Sequence, residues 1–435
     1  MPSLSRREFA RFLAVSGSAS LLPAPALAES GFSFERWGLR SEPLPRTPIS
    51  PDEKFWKDVR ARFLVPPDVG FLNAANLCPM SLPVIEAIEK TTRSYEMNPS
   101  PEAKSALIHV REDARTMIAE ALRVTPEEIV LTRNTTEGNN FVSSGLTLGH
   151  GDEVIVVSDN HPSNLNAWRQ KGTRFGFTVV TVEAPAAHPG AAGYVELLSK
   201  AITPRTKVLA IQVVSSNSGD LLPVAELCRV AREHGVLSLL DGAQAFGVLD
   251  LNLKEINPDF FTGSIHKWPC GPKEKGILYI NKTAQDKIAP TIYGVYAGAV
   301  GVSRSFEGEG QRDDASMAAV VEALKFQAGI GRSVIEQRSR ALAAHAMTEL
   351  AKLDGVHLWT NPAPDRSAAI VIFKPGSLDP RKFGDALSQK EKIVTTVRGA
   401  NGVNPGLRIS PHFFNTMDDI DRLVDATRRY LKTGV

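Results

Sequence analysis

Residues 236–269 read VLSLLDGAQAFGVLDLNLKEINPDFFTGSIHKWP, and this stretch contains the pattern that decides the fold. Two short apolar runs, Val236–Leu240 and Asp259–Gly263, each stop abruptly at polar residues. The first ends in Asp241-Gly242-Ala243-Gln244, the second in Ser264-Ile265-His266-Lys267. Runs this continuous in Val, Leu, Ile and Phe do not suit a strand with one wet face; they predict strands covered on both sides. Five further runs have the same character: Glu128–Thr132, Glu153–Ser158, Thr178–Val182, Val208–Val214 and Gly276–Ile280. Amphipathic helical patterns separate several of them. In Pro223–Gly235, the residues Val224, Leu227, Cys228 and Ala231 share a face, and Gly235 is placed to end the helix. Strand–helix alternation over about 150 residues predicts an α/β architecture with a mostly parallel sheet and helices on both faces.

Outward from this centre the pattern changes twice. Residues 29–70 are Pro-rich and aperiodic apart from a short helical stretch near Glu53–Phe63, so they are expected to wrap the body and join the smaller part of the molecule. From about residue 314 one long helix-like stretch precedes shorter α/β elements, which predicts a smaller C-terminal domain over 311–435 beside a large domain over 71–310. The first 28 residues carry Ser5-Arg6-Arg7-Glu8-Phe9, a weakly apolar stretch from Phe12 to Leu22, and the small-x-small site Ala26-Leu27-Ala28. This is the layout of a twin-arginine export signal cleaved after about Ala28, with the export machinery as partner and the periplasm as destination.

Composition narrows the function classes. The 435 residues include 50 Lys+Arg and 48 Asp+Glu, and 43% are hydrophobic, which fits a packed globular chain. Without the signal's three arginines and one glutamate, both counts fall to 47 and the net charge to zero. No basic excess remains to bind nucleic acid. The rest of the chain has no apolar run long enough to span a membrane. Cys78, Cys228 and Cys270 are far apart, with no CxxC pair for a disulfide framework or zinc site.

In open α/β sheets ligands collect beyond the carboxyl ends of the strands, so the residues after each run are the candidates. Arg133-Asn134-Thr135-Thr136 offers hydroxyls and free N–H groups at a helix start, suited to a phosphate, although Asn and Thr are also ordinary helix caps. His161 follows the second run and can be a base or a flat stacking surface, or a solvated loop residue. Asp241 ends a buried strand, where its charge calls for a cationic partner unless it merely caps a helix. Lys267 follows an apolar strand and precedes Trp268-Pro269; on its own it reads as a solvated residue capping the strand, but partial burial would lower its pKa and free an amine able to attack a carbonyl.

Taken in order, a hydroxyl-rich helix start, His, Asp-x-x-Gln and Ser-x-His-Lys form a site for pyridoxal 5′-phosphate. That cofactor needs an amine for its aldehyde, a carboxylate for its ring nitrogen, a flat partner and a phosphate cup. From Phe71-Leu-Asn-Ala-Ala-Asn76 to the C-terminal end, the sequence resembles the class V aminotransferase family of fold type I. His266-Lys267-Trp268-Pro269 most resembles its isopenicillin N epimerase-like branch. The resemblance implies a seven-stranded large domain and a smaller α/β domain. It makes Lys267 the residue that bonds to the cofactor, Asp241 the ring-nitrogen partner, Gln244 the ring-oxygen contact and His161 the stacking residue. Thr135, Thr136, Ser264 and His266 would hold the phosphate, with Gln311 reaching it from the other subunit of a homodimer. Arg408, within Gly406-Leu-Arg-Ile-Ser-Pro-His-Phe-Phe-Asn-Thr416, would grip the substrate α-carboxylate, and Asn73 and Asn76 would approach the substrate.

Departures from the family bear on the reaction. Val397–Asn404 contains no Cys where cysteine desulfurases need one, and Cys270 reads as a packed thiol, which argues against persulfide chemistry. The usual Gly-Thr phosphate contact is Gly310-Gln311 here. Tyr293-Gly-Val-Tyr296 offers a second acid or base, or simply packs. The motifs serve epimerisation, transamination and β-elimination equally. The resemblance also allows a periplasmic tailoring transaminase or C–S lyase, as in siderophore maturation. A binding protein of this fold without turnover conflicts with the intact set of Lys267, Asp241, His161 and Arg408.

Overall fold

All seven apolar runs form strands of one sheet. The computed structural model describes residues 44–435 apart from 296 and 400–402, so the stretch expected to be an export signal lies outside the described residues. In chain order the strands are β1 (Gly70–Phe71), β2 (Ile129–Thr132), β3 (Glu153–Val157), β4 (Thr178–Val182), β5 (Thr206–Gln212), β6 (Leu237–Asp241), β7 (Phe260–Ser264) and β8 (Gly276–Ile280). The large sheet has the order β2-β8-β7-β6-β5-β3-β4. Neighbours from β7 through β4 run parallel, while β8 is antiparallel to both β2 and β7. β2, β3, β6, β7 and β8 are buried almost throughout, as their continuous apolar sequence requires. β4 differs: it is an edge strand, with Thr178 exposed and the remainder half-buried. Its two threonines suit that place.

Helices cover the sheet. Val224–Glu233 buries Val224, Leu227, Cys228 and Ala231, and Gly235 follows its cap at φ +69°. The long stretch expected after residue 314 is two helices, Met317–Ile330 and Arg332–Leu350, broken at Gly331, whose φ of +101° lies outside the helical range.

A second layer is built from β9 (Val356–Leu358), β10 (Val371–Pro375), β11 (Ile393–Val394), β12 (Thr396–Arg398) and β13 (Gly406–Ile409). Four of these form an antiparallel sheet in the order β12-β13-β10-β9, while β11 pairs in parallel with β1. Leu72, Leu342, Phe373, Phe383, Leu407 and Leu423 form a separate core between this sheet and its helices. Phe55, Trp56, Val59 and Phe63, from the helix Glu53–Arg60 and just beyond it, join the main core instead of forming their own.

Two features of this architecture position the site. β6 and β7 are adjacent and in register, Asp241 opposite Thr262, so the residues that follow them emerge side by side. The segment after β1 then crosses from one sheet to the other. Ala74 N–H donates to the Ser410 carbonyl at 3.1 Å, and Cys78 N–H donates to the His266 carbonyl at 2.9 Å. Residues following β13 and residues following β7 are thereby tied to one short segment.

Candidate active site

Asp241 ends β6 with its carboxylate held on both oxygens. Asn139 Nδ2 donates to Oδ2 at 2.9 Å and the Ala243 N–H donates to Oδ1 at 3.1 Å. Asn139 itself accepts from Thr262 Oγ1 at 2.9 Å, so the amide is fixed with its NH2 toward the acid. No ion pair to Asp241 occurs among the described residues; the cationic partner expected from its burial is supplied at longer range by Lys267. Gly242 is required next, because a Cβ there would lie 2.1 Å from the Phe261 ring.

Lys267 follows β7 in a tight turn, closed by the Cys270 N–H donating to its carbonyl at 2.9 Å. Burial pushes its amine down to about 8; Asp241 opposes this, and Arg408 and Arg398 add to it. A sizeable fraction is therefore neutral near pH 8. The turn is braced from below. Trp268 Nε1 donates to Gln244 Oε1 at 2.9 Å, Gln327 Nε2 donates to the Trp268 carbonyl at 2.8 Å, and His412 Nε2 meets the same carbonyl at 2.7 Å.

His161 caps the helix Pro162–Phe175. Its Nδ1 accepts from the Ser163 N–H at 3.2 Å, which puts the ring proton on Nε2. Desolvation lowers its pKa, Asp241 opposes the change, and Lys267, Arg398 and Arg408 lower it further. The ring keeps an open edge at the mouth of a cleft lined by His161, Gln212, Val214, Ser216, Asp241 and Gln244.

Beside it, Thr135 and Ser264 meet: the Thr135 N–H donates to Ser264 Oγ at 3.0 Å and the two hydroxyl oxygens are 2.7 Å apart. His266 Nδ1 is buried without a partner, and burial, with Lys267 and Lys273, pushes this imidazole down to about 4. It is neutral at pH 7. Thr136 is exposed on the first turn of the same helix as Thr135.

On the other wall Arg408 is fully buried. Its terminal nitrogen reaches Asn73 Oδ1 at 3.4 Å, and Thr396 Oγ1 donates to that oxygen at 2.6 Å. Arg408 Nε has no partner. Asn76 is exposed, joined to Asn73 only through its backbone N–H at 3.1 Å. Gln311 is exposed, and its side chain donates only to the Arg312 carbonyl at 3.3 Å. Gln244 lines the cleft, but its Nε2 already donates to the Ala75 carbonyl at 3.0 Å, leaving one N–H for a ring oxygen. Tyr293 is 80% exposed, while Tyr296 lies outside the described residues. Cys270 is buried, with its Sγ 3.4 Å from Cys78 Sγ.

The fold thus sets His161, Asp241 and Gln244 on one cleft, brings Lys267 and Arg408 within electrostatic reach of them, and joins Thr135 to Ser264, two residues before His266. Two residues here were not singled out from sequence. Asn139 carries a signal: it lies one turn after Thr135, on the same helix face. Arg398 carries none until the second sheet is assembled.

The family model for class-V aminotransferases matches residues 71–423. The chain belongs to the class-V aminotransferase family. Isopenicillin N epimerase of Streptomyces clavuligerus is 30% identical over 387 residues, covering 85% of this chain and 97% of the epimerase. The protein of the same name from Amycolatopsis lactamdurans is 30% identical, covering 87% and 99%. A probable cysteine desulfurase of Halalkalibacterium halodurans is 29% identical, covering 83% and 93%. Among solved structures, a C-DES variant with glycine covalently linked to its PLP cofactor superposes with a TM-score of 0.79 at 24% identity, over 87% of this chain and 99% of that one. This class-V protein therefore has the α/β architecture of PLP fold type I and is a pyridoxal-phosphate-dependent enzyme.

The residues present fit that cofactor. An orphan imidazole nitrogen and two hydroxyls suit the phosphate, and a hydrogen-bonded carboxylate at the cleft floor suits a ring nitrogen. An enclosed amine of lowered pKa suits an aldehyde.

Proposed function

We propose that this class-V enzyme is exported and acts at the α-carbon of an amino acid or an amino-acid-derived metabolite, with epimerase or aminotransferase chemistry. The observation that carries the reading is an enclosed lysine, Lys267, that feels both the carboxylate of Asp241 and the buried, incompletely paired guanidinium of Arg408. The arginine suits an α-carboxylate, and the lysine amine stands where a proton at Cα can be taken and returned. Pyridoxal 5′-phosphate, held by Lys267, Asp241, His161, Gln244, Ser264, His266 and Thr135, would supply the electron sink that makes that proton acidic.

Each residue has a part in this. Asp241, fixed by Asn139, would keep a proton on the ring nitrogen of the bound cofactor. His161, with its open edge at the cleft, would stack on the cofactor and exclude water. Arg408 orients the substrate, and Asn73 orients Arg408. Lys267 moves the proton. The resemblance to isopenicillin N epimerases supports epimerisation, which requires proton access from both faces of Cα. The absence of Cys from residues 397–404 speaks against persulfide transfer despite the cysteine desulfurase relatives. The paired arginines at Arg6-Arg7 support export to the periplasm, and Gln311, exposed and bonded through its side chain only to the Arg312 carbonyl among the described residues, supports a homodimer in which it serves the other subunit.

The reading is tested with purified holoenzyme and its Lys267→Ala variant. The visible absorbance of the lysine-bound cofactor should disappear in the variant; a wild-type protein lacking it would sink the proposal. Amino acids incubated in deuterated water then separate the outcomes. Deuterium at Cα without net product indicates epimerisation, a keto acid indicates transamination, and pyruvate with ammonia indicates the alternative, β-elimination.

A further inference from the structure

We infer that Arg398 is a second anion-binding residue of this cleft, and that the substrate is an α-amino acid with a further acidic group on its side chain. This rests on the reading of the cleft as an amino-acid site in which Arg408 takes the α-carboxylate. β12 and β13 are antiparallel, with Thr396 opposite Arg408 and Arg398 opposite Gly406. Directly opposed residues point to the same side of a sheet, and so do alternate residues along a strand. Thr396, Arg398 and Arg408 therefore share a face, the one that meets Asn73. Arg398 and Arg408 stand on a diagonal, where side chains start roughly 7–8 Å apart.

The charges are unbalanced without such a ligand. Four buried arginines elsewhere have carboxylate partners: Arg115 with Glu307, Arg60 with Asp419, Arg111 with Asp314 and Arg338 with Glu53. Arg398 is half-buried and has no ion pair and no side-chain hydrogen bond to a carboxylate or carbonyl among the described residues. Desolvation lowers both guanidinium pKa values, and on Arg408 the proximity of Arg398 adds to the effect. Arginine nevertheless stays charged. An α-carboxylate neutralises Arg408 alone; a second carboxylate neutralises Arg398.

The test is calorimetric titration of the holoenzyme with glutarate and with butyrate, dicarboxylate and monocarboxylate probes without an amine. Glutarate is expected to bind at least about tenfold more tightly, the effect of one added charge-assisted contact. Arg398→Gln should erase this preference and leave butyrate affinity within about twofold. Arg398→Lys should keep part of it, since the charge remains without the planar fork. Equal wild-type affinities would overturn the inference. So would an Arg398→Gln variant that weakens both probes alike, which would make Arg398 a co-holder of the α-carboxylate. Arg408→Gln separates this from the underlying reading: loss of butyrate binding supports an α-carboxylate site, and indifference of butyrate to that change removes both claims together.

Discussion

His412 links the stability of the protein to the lysine turn, and its protonation has a calculable cost. Its ring is fully buried, edge-on to Trp268 at 5.0 Å and packed against Phe413 at 4.4 Å. A carbonyl only accepts, so His412 Nε2 donates to the Trp268 carbonyl at 2.7 Å, and Nδ1 accepts from the Ser339 hydroxyl at 3.0 Å. Burial pushes the imidazole down to about 3, with the Trp268 carbonyl pulling the other way. An unfolded histidine titrates near 6.5. Above about pH 6.5 the ring is neutral in both states and its contribution is complete. Between about 6.5 and about 3 only the unfolded chain binds the proton, so stability falls as pH falls, and below about 3 the contribution is gone. At about pH 5 the loss from this residue is about 2 kcal/mol, rising toward about 5 kcal/mol at the acid end as an upper bound. Urea unfolding of the holoenzyme at about pH 7.5 and about pH 5, for wild type and His412→Gln, measures it. Wild type should lose about 2 kcal/mol more than the variant over that interval. Equal losses would refute the assignment of a neutral, buried His412 beneath the lysine turn.

Asn139→Ala removes the amide that fixes Asp241, and kcat is expected to fall about tenfold to hundredfold with KM within about twofold; steady-state kinetics beside unchanged circular dichroism would check it. Cofactor capture by the apoenzyme should speed up as pH rises through about 8, because the neutral Lys267 amine is the reactive form. Arg408→Gln removes a cation that lowers that pKa, so the midpoint should move upward; stopped-flow absorbance reads both, and a flat profile would contradict the assignment. Gly242→Ala places a Cβ 2.1 Å from the Phe261 ring and 2.8 Å from the Thr262 carbonyl, so thermal unfolding should register a loss of about 1–3 kcal/mol.

Much of the large sheet was readable because its strands are covered on both faces, and continuous burial writes itself as continuous apolar runs. The helix break at Gly331 was less readable. A glycine inside an apolar periodic stretch is compatible with one helix or two, and only the packing of Met317–Ile330 and Arg332–Leu350 on different neighbours separates them. The exposed edge of β4 was hidden for the same reason: TVVTV satisfies a covered strand as well as a half-covered one.

By itself the sequence determined the chemical kit and its order. Thr135, His161, Asp241, Ser264, His266 and Lys267 all stand just past apolar runs, and a strand end is a local property that nearby residues specify. Tertiary structure decided which of these groups act together and which residues complete them. Gln244 is partly committed to Ala75 and Trp268, while Gln311 and Asn76 face solvent in the single chain. Arg398 enters the site only through the register of β12 on β13. Register is a pairing between strands, and whether a charge has a partner depends on residues hundreds of positions away. Neither can be read from the residues beside it.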